Sequence, residues 1–116
     1  MRTLLATLIG VTVMAGAAGA QTLDPKKVDA GQKVYVAQKC ATCHAIKASG
    51  GKMASALGGV GAKLTEADIK KWLTDTATME AKVTPKPKMS MAAYMKTHKL
   101  TETDVDVLVA FLMSQK

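Results

Sequence analysis

Two cysteines and a histidine stand within five consecutive residues, and this feature restricts the fold of the chain more than any other. Cys40 and Cys43 are the only cysteines among 116 residues, and His44 follows directly. A disulfide between cysteines this close would close a very small loop and stabilise the protein little. The chain therefore lacks the disulfide framework of small secreted folds and must be stabilised in another way.

The N-terminus has the layout of a secretory signal peptide. Arg2 provides a positive charge, an uncharged and mostly apolar run covers residues 4–18, and small residues precede Gln21. This run is shorter than the ~20 residues that a membrane-spanning helix needs. We expect a cleaved signal peptide over residues 1–20 and a mature domain over residues 21–116, which is exported to the periplasm and has no membrane span.

Cys40-Ala41-Thr42-Cys43-His44 has the C-x-x-C-H pattern of covalent haem attachment. Two thiols at this spacing on a helical turn can each add to one of two neighbouring vinyl groups of a haem. The adjacent imidazole can then reach the iron. We interpret Cys40 and Cys43 as the thioether sites and His44 as the proximal iron ligand of one haem c.

The amino-acid composition agrees with a bound group in the core. Aromatic residues make up 3% of the chain. A domain of this length buries only about 60–65% of its unfolded surface, which leaves its stability marginal. A large apolar haem would complete such a core, so we expect the chain without haem to be largely unfolded.

Other uses of the two cysteines compete with haem attachment. A thioredoxin-like dithiol stands at the start of a helix after a strand, whereas this motif follows a predicted helix. A zinc site needs three or four ligands, and beyond the motif only His98 and carboxylates remain. A copper-handling protein that combines the thiols with methionines is a further alternative.

Periodic apolar residues and capping patterns predict an all-α fold. Apolar and small residues at helical spacing predict a first helix over residues 27–39. Thr65 opens a second helix that ends near Thr76. Thr101 opens a third helix that continues to the C-terminus and carries an apolar stripe of Val105, Leu108, Val109 and Leu112. Each of these two threonines has an aspartate three residues later, as in a capping box.

Two long segments between these helices are predicted to be irregular. Residues 47–63 are rich in glycine and show no periodicity. Residues 77–99 contain Pro85 and Pro87, which prevent a regular helix where they stand. Long irregular segments in so small a domain are usually functional.

The second irregular segment contains candidates for a distal iron ligand. Met89, Met91 and Met95 stand in a lysine-rich region, where apolar side chains indicate a packing or ligand role. Thioether sulfur binds iron in both oxidation states. His98 is a further candidate, which we interpret instead as a solvated loop residue. The methionines elsewhere in the mature chain are interpreted as core residues: Met53, Met79 and Met113.

The whole mature chain resembles the small monohaem class I cytochromes c. Gly31 and Tyr35 are similar to the small and aromatic pair by which the family's N-terminal helix crosses its C-terminal helix. Phe111 is similar to the aromatic residue of that second helix. Residues 57–61 resemble the loop before the family's middle helix, and Lys86-Pro87-Lys88-Met89 resembles the approach to its axial methionine.

This resemblance implies the cytochrome c fold, with three main helices and long loops wrapped around a covalently bound haem. It implies thioether bonds at Cys40 and Cys43, His44 as the proximal ligand and Met89 as the distal ligand.

The chain departs from the family pattern at two places. Ser90 follows Met89 where the family usually has proline. Met91 and Tyr94 also fit a familiar Met-x-x-aromatic spacing, so Met91 is an alternative distal ligand. Residues 45–64 contain no proline to supply the carbonyl that usually orients the histidine. We expect another backbone carbonyl of that loop to accept the His44 N–H.

The charge of the chain favours acidic partners. Lysine and arginine number 16 against 9 acidic residues, giving +7, and loss of Arg2 with the signal peptide leaves +6 without any arginine. Lysines steer an acidic redox partner without a tight interface. Nucleic-acid binding is not expected. The lysines that flank the ligand segments in sequence are Lys39, Lys47, Lys52, Lys86 and Lys88.

These features predict a periplasmic, monomeric electron carrier rather than an enzyme. Iron held by both histidine and methionine has no open position for a substrate, so its work is the transfer of single electrons. One alternative is a cytochrome subunit of a periplasmic dehydrogenase. Another is an enzyme or sensor whose distal ligand is labile.

Overall fold

The computed structural model describes residues 23–116, so the expected signal peptide lies outside the described residues. In this part of the chain, six α-helices and one short 3₁₀ turn follow one another without a β-strand. Among residues 23–116 no helix is both long and apolar enough to cross a membrane. The elements are α1 (Pro25–Ala37), the 3₁₀ turn (Cys40–Thr42), α2 (Val60–Lys63), α3 (Glu66–Thr74), α4 (Thr76–Ala81), α5 (Met91–Thr97) and α6 (Glu102–Met113).

The three helices predicted from periodicity are confirmed as α1, α3 and α6. Asp24 begins α1 by accepting the Lys26 N–H at 2.9 Å. Thr101 and Asp104 form the reciprocal capping box at the start of α6, with both hydrogen bonds at 3.1 Å. Such caps satisfy backbone N–H groups that the first helical turn leaves without a partner.

The core lies where α1 crosses α6 and where α3 packs on α6. Leu108 is 1% exposed and is at the centre of the apolar stripe that the sequence predicts on α6. The buried apolar side chains of the described residues are Tyr35, Val60, Ile69, Val105, Leu108, Val109, Phe111 and Leu112.

Gly31 allows the close approach of α1 to α6. A Cβ atom at this position would collide with the carbonyl oxygen of Val107 and would lie 2.6 Å from the Phe111 Cβ. One turn later, the Tyr35 ring packs against the Phe111 ring with 5.4 Å between centroids. The helix crossing that the family resemblance implies is therefore confirmed.

We expect the substitution Gly31→Ala to destabilise the haem-loaded protein by about 1–3 kcal/mol, because the clash is partly with backbone that cannot rotate away. The free energy of unfolding from denaturant titration measures this effect. Gly58→Ala is the matched control, since its nearest neighbour would be the Lys47 backbone nitrogen at 3.7 Å. Equal losses of unfolding free energy in the two variants would contradict the view that Gly31 is needed for the close approach of α1 to α6.

The prediction of wholly irregular segments over residues 47–63 and 77–99 is wrong at their ends. α2 begins after Gly59, which has a left-handed φ of 81°. α4 and α5 occupy both ends of the second segment, because the two prolines lie between these helices rather than inside them. Ser90 caps α5 by accepting the Ala93 N–H at 3.1 Å.

Candidate functional site

Two segments that are distant in sequence line one cleft. The first contributes the C-x-x-C-H motif, and the second contributes the methionines at the start of α5. The cleft has about 560 Å³ of empty space, its open mouth included. Its lining residues are Lys39, Cys40, Cys43, His44, Met53, Ala54, Met89, Ser90, Met91, Tyr94 and Met95. All of the predicted site residues, with both candidate distal methionines, thus lie at the same cleft.

The end of α1 gives the motif its local shape. Lys39 has a left-handed φ of 55°, which turns the chain out of the helix. The 3₁₀ turn follows, and the Cys40 carbonyl accepts the N–H groups of Cys43 at 3.3 Å and His44 at 3.1 Å. This tight turn brings the two sulfur atoms and the imidazole to the same cleft.

The His44 ring is oriented by a backbone carbonyl. Its Nδ1 lies 2.7 Å from the carbonyl oxygen of Ser55. This confirms the expectation that a carbonyl of the following loop accepts the His44 N–H, and it identifies the residue. With the proton on Nδ1, the lone pair of Nε2 is free to bind a metal.

Tyr35 supports the backbone at the same histidine. Its hydroxyl donates to the His44 carbonyl oxygen at 3.0 Å. Burial raises the pKa of Tyr35 to about 12, so the phenol remains a neutral donor. A residue of the helical core is therefore joined directly to the motif.

The environment of Cys40 differs from that of a redox-active dithiol. Burial raises the pKa of the Cys40 thiol. Thioredoxin-like cysteines depend on a lowered pKa that yields a reactive thiolate. The structure therefore gives no support to the dithiol alternative.

The candidate distal ligands differ in exposure. Met89 precedes α5 and is 57% exposed, whereas Met91 lies in the first turn of α5 and is half-buried. Met95 follows Met91 by one helical turn and lines the cleft with it. Several thioether groups are therefore available to one site.

The interpretation of Met53 as a core residue is wrong. Met53 is 53% exposed and lines the cleft. The neighbouring backbone explains its position, because the Ala54 N–H donates to the Cys43 carbonyl oxygen at 3.0 Å and folds the loop back over the motif. No periodicity in the sequence signals this contact.

The interpretation of His98 as a solvated loop residue is also wrong. His98 is half-buried at the end of α5 and does not line the cleft. Its ring stacks on Tyr94 with 3.8 Å between centroids. The Tyr94 hydroxyl in turn donates to the Gln38 carbonyl oxygen at 2.7 Å, which joins α5 to the end of α1.

Glu80 is a residue of this region that the sequence did not indicate. Its Oε2 accepts the Ala92 N–H at 2.9 Å and so connects α4 with the start of α5. This bond, followed by a hydrogen bond from the Ser90 hydroxyl, lowers the pKa of Glu80. The contact depends on the fold of the intervening loop, which no local pattern specifies.

The side chains at the cleft fit a haem. Two sulfur atoms stand beside an imidazole with one free nitrogen, and thioether groups line the same apolar space. Imidazole nitrogen and methionine sulfur are usual protein ligands of haem iron. Cysteine sulfurs in this motif form the thioether bonds to the porphyrin. Within residues 23–116 there is no cluster of three or more His, Cys, Asp or Glu side chains that could hold a metal ion by themselves.

The fold and the cleft together define an all-helical domain built around a C-x-x-C-H motif. The sequence model of the Cytochrome c family matches residues 28–116. The chain belongs to the cytochrome c family, as the class I resemblance predicts. Comparison with curated proteins and with solved structures finds no significant match.

Membership of this family confirms the cofactor and the general activity. The cofactor is covalently attached haem c, and the activity is haem-based electron transfer with redox partners. The predicted fold class, an all-α cytochrome c domain, is confirmed as well.

Proposed function

We propose that this chain is a periplasmic carrier of single electrons, delivered by a signal peptide over residues 1–20. Cys40 and Cys43 hold the haem through thioether bonds, His44 is the proximal ligand and Met89 is the distal ligand. The observation that best supports this proposal is the convergence of all four side chains on one cleft. The haem supplies one-electron exchange between ferrous and ferric iron.

On the proximal side, neighbouring groups hold His44 in place. The Ser55 carbonyl accepts the Nδ1 proton, which leaves Nε2 free to bind the haem iron. Tyr35 holds the backbone of the same residue from the core. A ligand fixed in this way moves little when the iron changes charge, which favours rapid electron transfer.

On the distal side, Met89 is the preferred ligand and Met91 is the alternative. Met89 is favoured by the Lys86-Pro87-Lys88-Met89 segment, which resembles the family's approach to its axial methionine. Met91 is favoured by its half-buried position in the first turn of α5. With haem bound, either methionine beside His44 would leave no open iron position for a substrate, which favours a carrier over an enzyme.

Exposed lysines around the cleft suit transient docking to an acidic partner. Lys39 lines the cleft itself, and Lys88 directly precedes Met89. Within the described residues, the side-chain ion pairs use other lysines, Lys27 with Asp106 and Lys33 with Asp29. The proposed docking lysines are all exposed: Lys39, Lys47, Lys52, Lys86 and Lys88.

Electron exchange with an acidic redox protein tests this function. We expect the haem-loaded protein to titrate as a one-electron couple and its second-order rate to fall as salt is raised, because screening shortens the range of charge steering. The double variant Lys39→Glu/Lys88→Glu should lose roughly tenfold in rate at low salt. Stopped-flow mixing measures these rates.

The matched control is Lys70→Glu/Lys71→Glu, which makes the same change of charge on α3, away from the cleft. If the carrier docks through the cleft, this control variant should lower the second-order rate far less than Lys39→Glu/Lys88→Glu does. A rate that is indifferent to ionic strength, or equal losses in the two double variants, would contradict the proposed docking.

A further inference from the structure

Glu80 joins α4 to the start of α5 across the loop that carries Met89. Its Oε2 accepts the Ala92 N–H at 2.9 Å, from a residue 12 positions later in the chain. The Glu80 side chain is half-buried, so the contact is not a fully solvated one. The bond closes the loop between the two helices.

The loop has a second connection to α4. Lys86 Nζ donates to the Ala81 carbonyl oxygen at 3.0 Å. Met89 therefore lies between two anchors, with Lys86 before it and the first turn of α5 after it. A loop anchored on both sides samples fewer conformations than one held only by its own backbone.

The first turn of α5 depends on side chains for its N–H groups. Ser90 accepts the Ala93 N–H at 3.1 Å, and Glu80 accepts the Ala92 N–H. The first acceptor belongs to the loop itself, whereas the second belongs to another helix. Glu80 therefore fixes where the start of α5 lies relative to α4, while the Tyr94 hydroxyl joins the same helix to the end of α1.

We propose that Glu80 is a positioning residue for the distal methionine. Its carboxylate fixes the start of α5 and thereby holds the thioether of Met89, or of Met91, toward the haem iron. This inference rests on the proposed function, because it assumes a methionine ligand from this segment. Glu80 itself does not line the cleft and acts through the backbone of α5.

Competition by free imidazole for the ferric iron tests this role. Imidazole binds only when the distal methionine leaves, so its affinity reports how firmly the protein holds that ligand. We expect Glu80→Ala to raise the affinity for imidazole about tenfold, since the loss of one hydrogen bond has an effect of this order. The weak red-edge sulfur-to-iron band should decrease at the same time.

Two conservative variants separate the hydrogen bond from the charge. Glu80→Gln keeps an acceptor at the same distance from the backbone and should retain the wild-type imidazole affinity. Glu80→Asp keeps the charge but is one methylene shorter and cannot reach the Ala92 N–H in the same way. Its affinity for imidazole should therefore resemble that of Glu80→Ala. The opposite result, in which Glu80→Asp binds imidazole like the wild type and Glu80→Gln binds it like Glu80→Ala, would overturn the positioning role in favour of a charge effect.

Thr101→Ala is the control for a general loss of stability. Thr101 caps α6 and does not line the cleft, so its removal should lower the thermal midpoint without changing the affinity for imidazole. If Glu80→Ala and Thr101→Ala raise the affinity equally, Glu80 has only a structural role. An unchanged affinity in Glu80→Ala refutes the inference even if the alanine variant is less stable.

The wild-type spectrum distinguishes failure of this inference from failure of the proposed function. A wild-type protein without the sulfur-to-iron band would refute methionine ligation itself. A wild-type protein with the band, and Glu80 variants that all bind imidazole as it does, would refute the role of Glu80 alone.

Discussion

Replacement of both Cys40 and Cys43 by alanine is expected to leave the cytochrome c domain largely unfolded. The apolar core of the described residues is small and lies where α6 packs on α1 and α3. None of the residues that line the cleft is among the buried residues of this core. A domain of about a hundred residues is marginally stable, so loss of a group that binds only the folded state shifts the balance toward unfolding.

Far-ultraviolet circular dichroism measures this effect. We expect the double variant to lose most of the helical signal of the haem-loaded wild type and to show no cooperative thermal transition. The single variants Cys40→Ala and Cys43→Ala each leave one thioether bond. Their helical signal should lie between those of the wild type and the double variant. A double variant without haem that keeps native helix content and unfolds cooperatively would contradict the view that haem completes the core.

Met89→Ala and Met91→Ala are expected to differ sharply in the coordination and the reduction potential of the haem iron. The variant that removes the distal ligand should lose the weak red-edge sulfur-to-iron band and bind carbon monoxide readily when reduced, because a coordination position is opened. Its reduction potential should fall by about 0.1 V or more, within the ~0.8 V range that axial ligands control. The other variant should keep the band and the potential of the wild type.

Met95→Ala is the matched control for these two variants. Met95 lines the same cleft from the second turn of α5, so its removal changes packing near the haem without changing the proposed ligand. We expect it to retain the sulfur-to-iron band. If neither Met89→Ala nor Met91→Ala loses the band, both ligand assignments are wrong.

The sequence predicts those parts of the fold that depend on local chemistry. The capping residues Thr65 and Thr101 start α3 and α6 because their hydroxyls accept nearby backbone N–H groups. The apolar stripe on α6 is buried as periodicity predicts. Gly31 marks the crossing of α1 and α6 because no larger residue fits there.

The contacts that the sequence could not predict depend on the folded chain. Ser55 orients His44 through a backbone carbonyl, a group that every residue possesses. Glu80 meets α5 only after a proline-containing loop has reversed the chain. Met53 reaches the cleft because its loop folds back on the motif, which spacing alone does not encode.

The mass and thiol content of the protein, produced with a working haem-attachment system, show whether haem is bound to Cys40 and Cys43. We expect the protein to carry the added mass of one haem and neither Cys40 nor Cys43 to be alkylated after denaturation. A colourless protein with the mass of the bare polypeptide and both thiols open to alkylation would contradict this expectation.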